Sequence, residues 1–227
     1  MTQNDLFKLV EIYDEDILTD VLEHRSNVEL NIKDEDGRTI LHNAVSKNNI
    51  ELVKLLINKG VDANTCDDNG WTPLHSSCSS GLEEITIYLL SRGANCHITN
   101  NSGCTPLHYA ASKGYEDIVN ILVNKCHDII DYKDNYNRSA IFLSACSGKL
   151  NCFKLLLEKS ADINGNEKYS NDTILHVAVN GLHEDIAYII ATKQPEMIFA
   201  KNNEGKVPLD YASKKFSERL LQLKESY

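Results

Sequence analysis

Histidine recurs at positions 42, 75, 108 and 176 of this 227-residue chain, each time closing a tetrapeptide: Thr39-Ile40-Leu41-His42, Thr72-Pro73-Leu74-His75, Thr105-Pro106-Leu107-His108 and Thr173-Ile174-Leu175-His176. Four imidazoles invite a metal, but two zinc ligands must both lie about 2.0–2.1 Å from one ion. Packed helices stand about 8–10 Å apart, so histidines one repeat from each other cannot share a metal, and their role is a hydrogen bond tying helix to loop. Cys96-His97 and Cys126-His127 are adjacent pairs without the second pair a zinc site needs. Ser76-Ser77-Cys78-Ser79-Ser80-Gly81 is rich in nucleophiles but lacks the G-x-S-x-G turn that exposes a catalytic serine. No G-x-x-x-x-G-K-[ST], G-x-G-x-x-G or H-E-x-x-H is present. The acidic runs Asp14-Glu15-Asp16 and Asp34-Glu35-Asp36 lack the calcium-loop spacing. They read as solvated charge or as a binding face. The expectation is a protein with no catalytic residues, no metal and no cofactor.

The elements that position these residues are set by a repeat. Ser139-Ala140-Ile141-Phe142 and Val207-Pro208-Leu209-Asp210 are degenerate copies of the tetrapeptide, and the fourth positions advance in steps of 33, 33, 34, 34 and 34. Leu55-Leu56, Leu89-Leu90, Leu122-Val123, Leu156-Leu157 and Ile189-Ile190 follow in the same register. A period of about 33 with Thr-Pro-Leu-His resembles the ankyrin repeat, a hairpin-like finger followed by two antiparallel helices. Asp36-Gly37 and Asn69-Gly70 supply turns at the finger tips, Thr an N-cap, and Pro73 and Pro106 the first helical turn. Gly81, Gly114 and Gly148 read as C-caps of the first helix. Ile85, Leu89 and Leu90, or Ile118, Leu122 and Val123, fall at helical spacing in the second. Helices of about ten residues are marginal alone, so each repeat must bury its apolar edge on the next. The predicted architecture is an all-α ankyrin-repeat solenoid of about seven repeats in one domain, residues 1–227, with an N-terminal cap over 1–35, repeats over 36–202 and a C-terminal cap over 203–227.

Composition narrows the function. The chain is 42% hydrophobic and carries 23 Lys and Arg against 33 Asp and Glu, a net charge of −10 that repels a phosphate backbone. Nucleic acid is excluded as the main partner. The apolar stretches, such as 118–123 interrupted by Asn120, fall far short of the roughly 20 residues that span a bilayer. The first residues show no basic and apolar export signal, so an intracellular protein is expected. The seven cysteines are odd in number and read as small buried apolar residues rather than a disulfide framework, and the sequons at Asn100, Asn137 and Asn171 as idle. Residues 1–100 hold 8 basic and 17 acidic side chains, residues 101–227 hold 15 and 16, so the excess acid lies in the first repeats. Within them it concentrates at fingers, at Asp34, Glu35, Asp36, Asp67 and Asp68, which predicts an acidic concave patch. Trp71, the single Trp, follows Gly70 where other repeats carry Arg38, Cys104, Arg138, Asp172 and Lys206. An exposed aromatic there, beside carboxylates, reads as an interface anchor, and Arg38 and Lys113 add isolated positive charge to the same inferred surface.

Asp67-Asp68-Asn69-Gly70-Trp71-Thr72-Pro73-Leu74-His75 and Gly103-Cys104-Thr105-Pro106-Leu107-His108-Tyr109-Ala110-Ala111-Ser112-Lys113 are similar to the third and fourth repeats of the gankyrin family, ankyrin-repeat assembly chaperones of the proteasome regulatory particle. The resemblance covers the whole chain. It implies a capped, monomeric scaffold in cytoplasm and nucleus that binds the C-terminal domain of a proteasomal ATPase subunit and blocks premature docking on the core particle. It implies that Asp16, Asp36 and Asp68 accept partner Arg or Lys, that Arg38 and Lys113 face partner carboxylates, and that Trp71 adds apolar area. Two departures stand out: Val177-Ala178-Val179-Asn180-Gly181 replaces the family's Leu-x-Cys-x-Glu, so pocket-protein binding does not carry over, and Phe142 replaces His, so the finger there is set differently. The other reading open is an ankyrin-type inhibitor or adaptor of a kinase or transcription factor.

Overall fold

Each tetrapeptide starts a helix because its Thr or Ser takes extended backbone while the next residues turn helical. Thr72, at φ −93° and ψ 164°, accepts a hydrogen bond from the His75 N–H through its side chain, and Pro73 occupies the first turn, where its missing N–H costs nothing. In the computed structural model, which describes Phe7 and residues 30–224, the helices are α1 (Ile40–Ser46), α2 (Ile50–Asn58), α3 (Pro73–Ser80), α4 (Glu83–Ser91), α5 (Pro106–Lys113), α6 (Glu116–Lys125), α7 (Ala140–Cys146), α8 (Leu150–Glu158), α9 (Ile174–Asn180), α10 (Glu184–Lys193) and α11 (Lys214–Lys224). Among the described residues no strand forms beyond the isolated bridges Lys33 to Thr39 and Asn166 to Thr173, at the bases of two fingers. This is the all-helical repeat architecture expected. Most of the predicted N-terminal cap, with Asp14, Glu15 and Asp16, lies outside the described residues.

The chain divides into two compact units, residues 1–101 and 102–227. In the first, α1 packs on α3 and α2 on α4. Its core comprises Leu41, Leu52, Leu56, Leu74, Ile85 and Leu89, each no more than 2% exposed. In the second, α5, α7 and α9 form one row and α6, α8 and α10 the other. Its last pair is reduced to a 3₁₀ turn, Pro208–Tyr211, and α11, which buries Phe216 and Leu220 and leaves Lys214, Lys215, Glu218 and Arg219 exposed. That polar face suits a cap. The second helices also carry acid in their first turns, Glu83 and Glu84 in α4 and Glu184 and Asp185 in α10, where the helix dipole favours negative charge.

Loop length decides where the turn residue stands. Two-residue joints place left-handed backbone at their first position, Gly81 (φ +75°) and Gly114 (φ +90°). Three-residue joints place it at their second, Asn48 (φ +55°), Gly148 (φ +67°) and Leu182 (φ +59°). Between α9 and α10 the glycine therefore stands one position early: Gly181 has an ordinary φ of −77°, and Leu182, 75% exposed, takes the strained conformation.

Candidate functional site

The fingers are built around a brace that repeats through the chain. Asp34 Oδ1 accepts from the N–H groups of Asp36 (3.0 Å) and Arg38 (2.8 Å). Asp67 does the same for Asn69 (2.9 Å) and Trp71 (2.8 Å). In the second unit Asp134 Oδ1 serves Tyr136 and Arg138, both at 2.9 Å, and Asn202 Oδ1 serves Glu204 and Lys206, both at 3.0 Å. Each brace also donates its own N–H across the finger, to the carbonyls of Arg38, Trp71, Arg138 and Lys206. Asp and Asn suit this position because their short side chains reach the backbone two and four residues on. Asp34 and Asp67 are thus structural parts of the fingers. The sequence signal was available in the steps from 34 to 67 and from 134 to 202, but the acidic runs hid it.

What remains of the acidic fingers is a smaller and sharper set. Glu35, Asp36 and Asp68 are exposed. Among the described residues, Asp36 and Asp68 form no ion pair and their carboxylates accept no hydrogen bond. The backbone joins them, because the Asp68 N–H donates to the Asp36 carbonyl at 3.1 Å and the Asn101 N–H to the Asn69 carbonyl at 3.0 Å. Close approach here needs glycine: Gly70 sits at φ +76°, and a Cβ on it would lie 2.9 Å from the Asn100 Cα. Arg38 is half-buried and makes no ion pair among the described residues. Trp71 is half-buried rather than the exposed anchor expected, with its ring centroid 5.9 Å from that of His75. Lys113 is exposed at the end of α5 in the second unit.

The second unit builds its fingers from other parts. Arg138 closes a two-point ion pair on Asp134 Oδ2, at 2.9 Å from Nε and 2.7 Å from Nη2. Its guanidinium lies 4.6 Å from the centre of the Tyr136 ring. The next finger has a wider brace. Glu167 donates its N–H to the Asp172 carbonyl (2.8 Å), one residue further along than the other braces reach. Its Oε2 accepts from the Tyr169 N–H (2.8 Å), the Ser170 N–H (2.7 Å) and the Ser170 hydroxyl (3.0 Å). Desolvation raises the Glu167 carboxyl, but these donors more than offset it and hold the group below the ordinary carboxylate range.

The histidines do tie helix to finger, and they reach the following finger as well. His42 Nδ1 accepts from the Thr39 N–H (3.1 Å) and hydroxyl (2.9 Å), which leaves the proton on Nε2 to donate to the Trp71 carbonyl at 3.0 Å. His108 and His176 repeat the arrangement, donating to the carbonyls of Arg138 and Lys206, each at 3.1 Å. Burial lowers the imidazole pKa of His42 and His108, outweighing the backbone bonds and nearby carboxylates that favour the charged form. Phe142, 2% exposed, has no such donor, so the Asp172 carbonyl of the following finger has the Glu167 N–H but no imidazole bond. The nucleophile-rich Ser76–Ser80 stretch is structural too. Ser77 donates to the Leu74 carbonyl (3.1 Å) and accepts from the Thr86 hydroxyl (3.0 Å), while burial pushes the neighbouring Cys78 thiol up to about 12. Of the other free thiols, Cys104 and Cys152 are buried as expected, Cys66 is half-buried, and Cys146 departs from the expectation by being exposed.

Among the described residues no helix is long and apolar enough to cross a membrane. A family model described as ankyrin repeats (three copies) matches residues 6–100 and 86–167. The I-kappa-B like protein G2 of Microplitis demolitor bracovirus (isolate Webb) is 33% identical over 109 residues, covering 44% of this chain and 64% of that protein. The nuclear factor NF-kappa-B p105 subunit of Mus musculus is 29% identical over 99 residues, covering 44% of this chain and 10% of that protein. The chain thus spans under two thirds of the length of each.

Proposed function

The chain belongs to the ankyrin-repeat family, and from that premise we propose that it is a non-catalytic, monomeric protein-binding scaffold of the inhibitor or adaptor class, acting in cytoplasm and nucleus on a transcription factor. The observation that carries this reading is the pair of carboxylates on adjacent fingertips, Asp36 and Asp68, which with the Arg38 guanidinium on the same finger as Asp36 form no ion pair among the described residues. Both acids are held by backbone and brace, so they meet a partner's Arg or Lys with little ordering to lose. The likeness to proteins named for I-kappa-B and NF-kappa-B supports a transcription factor as that partner.

A second reading is supported by the Gly70-Trp71 and Gly103-Cys104 fingers. In it the same carboxylates receive the C-terminal domain of a proteasomal regulatory-particle ATPase subunit, and the chain is an assembly chaperone. One experiment separates the two: titration of an NF-kappa-B protein, and separately of the ATPase C-terminal domain, against wild type, Asp36→Lys, Asp68→Lys and the control Glu158→Lys at the exposed end of α8. The expected result is binding of the NF-kappa-B protein, weakened about tenfold or more by each Asp→Lys and unchanged in the control. Binding of the ATPase domain alone selects the chaperone. Equal affinities for all four chains overturn the fingertip mechanism under either reading.

A further inference from the structure

Two residues beyond the brace, four fingers carry Asp36, Asn69, Ser102 and Glu204, whereas the fingers braced by Asp134 and Glu167 carry Tyr136 and Tyr169. These tyrosines are 43% and 66% exposed. They meet edge to face with centroids 5.9 Å apart. The pairing is scaffolded by the backbone: the Lys168 N–H donates to the Tyr136 carbonyl at 3.0 Å, and Asn203 Nδ2 donates to the Tyr169 carbonyl at 2.7 Å. Tyr offers large contact area with few rotamers to freeze, and with Arg it is the residue type most enriched where binding energy concentrates.

The formal charges of residues 133–138 and 167–172 cancel, but every carboxylate among them is already engaged, which leaves the lysines as the charged groups open to a partner. Asp134 is buried against Arg138 and Glu167 Oε2 holds three donors. Asp172 Oδ1 accepts from Asn202, and Glu204 pairs with Lys206 at 2.7 Å. Lys133 and Lys168 are exposed and in no ion pair among the described residues. The Lys168 ammonium stands 5.6 Å from the Tyr169 ring centre.

We propose that Tyr136, Tyr169 and Lys168 form a docking site for an extended acidic segment of a protein partner, separate from the acidic fingertips of the first unit. Apolar side chains of that segment lie on the two rings, and its carboxylates meet Lys168 and Lys133. Aromatic and cationic side chains also suit single-stranded nucleic acid, but the net charge of −10 disfavours a polyanion with a charge at every residue. A short segment with intermittent carboxylates pairs with Lys133 and Lys168 and brings few further charges to be repelled. The site stands whether or not the first unit binds a transcription factor.

The test is fluorescence anisotropy with the full chain and three labelled probes: a peptide alternating glutamate with leucine, the same peptide with glutamine for glutamate, and an oligothymidylate. The glutamate peptide is expected to bind, and to weaken about tenfold in Lys168→Glu and in Tyr169→Ala, while Tyr169→Phe keeps its affinity. The glutamine peptide binds about tenfold more weakly, and the affinity of the glutamate peptide falls as salt rises. Melting curves for each variant match wild type, because both substituted side chains are exposed. Failure of the glutamate peptide to bind overturns the proposal. So do equal affinities for the glutamate and glutamine peptides, unchanged affinity in both Lys168→Glu and Tyr169→Ala, or tighter binding of the oligothymidylate.

Discussion

Asp34 and Arg38 stand four residues apart on a finger of the first unit, and Asp134 and Arg138 stand four apart on a finger of the second. In both fingers the aspartate braces the backbone, yet only Asp134 is also held by its arginine, at 2.7 Å. The residue between them differs. Tyr136 gives the Arg138 guanidinium a ring to lie on, 4.6 Å away, which steers it onto the carboxylate, whereas Asp36 gives Arg38 no such platform. A pair of residue types at a given spacing does not set its own role; the side chain beside it does. The consequence bears on the proposed function: the first finger leaves Asp36 and Arg38 without an ion pair among the described residues, whereas the second engages Asp134 internally and presents Tyr136.

The largest expected effect tests that difference directly. Asp134→Ala removes four hydrogen bonds and leaves Arg138 without its buried partner, and should cost about 3–5 kcal/mol. Asp34→Ala removes two bonds, one from the exposed Asp36 N–H that water can replace and one from the part-buried Arg38 N–H, and should cost about 1–2 kcal/mol. Urea unfolding of both variants checks the gap, and equal costs would erase the distinction. Next comes the glycine at the finger tip. Gly70→Val combines a strained φ with a close contact and should cost about 3 kcal/mol. Gly205→Ala in the last finger, at φ +75° but with nothing within 4 Å of a Cβ, should cost about 1 kcal/mol.

The imidazole anchors give a third, smaller contrast. His108→Phe copies the natural Phe142, leaves the Arg138 carbonyl without its donor, and should cost about 1–3 kcal/mol. The same histidines set a pH dependence. Their folded pKa is depressed below the ordinary 6.5, so between the two values the unfolded chain binds more protons than the folded one. Stability is fully present above about 6.5 and is lost as pH falls through that value toward the folded pKa. Melting curves from pH 7.5 to 5 (the range of the scan) should show a declining midpoint, shallower in His108→Phe. The smallest effect is a gain. Leu182→Gly supplies the left-handed residue that the three-residue joint requires, as Gly148 does in the joint before it, and should raise stability by about 1 kcal/mol.

Much of this architecture was legible before any coordinates. The period of 33–34 and the Thr-Pro pairs locate the helix starts, and Gly81 and Gly114 the ends, because capping and left-handed turns are local demands that single residue types answer. The site was legible only in part. Asp36 and Asp68, which the family resemblance implies as contacts, are exposed, and Arg38 is half-buried and unpaired among the described residues. Charge composition could not separate them from Asp34 and Asp67, since a brace and a free carboxylate have the same formula and differ only in which N–H groups lie within reach. Trp71 reads as exposed because finger residues usually are; it is instead half-buried, with its ring tilted beside that of His75. Tyr136 and Tyr169 passed unnoticed because their significance lies in register, two past the brace, and the brace itself was invisible until its hydrogen bonds were seen.

Main-chain bonds join fingertips within each unit, Asp68 to Asp36 and Asn101 to Asn69 in the first and Asn135 to Ser102, Lys168 to Tyr136 and Asn203 to Ser170 in the second, and the Asn101 and Asn203 side chains add bonds to the Asp68 and Tyr169 carbonyls. The main-chain bonds do not depend on which side chain stands at the tip. Selection can therefore rewrite residues 35, 36, 68, 135, 136, 168 and 169 one at a time without passing through an unfolded ancestor. A combinatorial library randomised at those positions, with the brace residues and tip glycines retained, should yield mostly folded members that differ in the partner they choose.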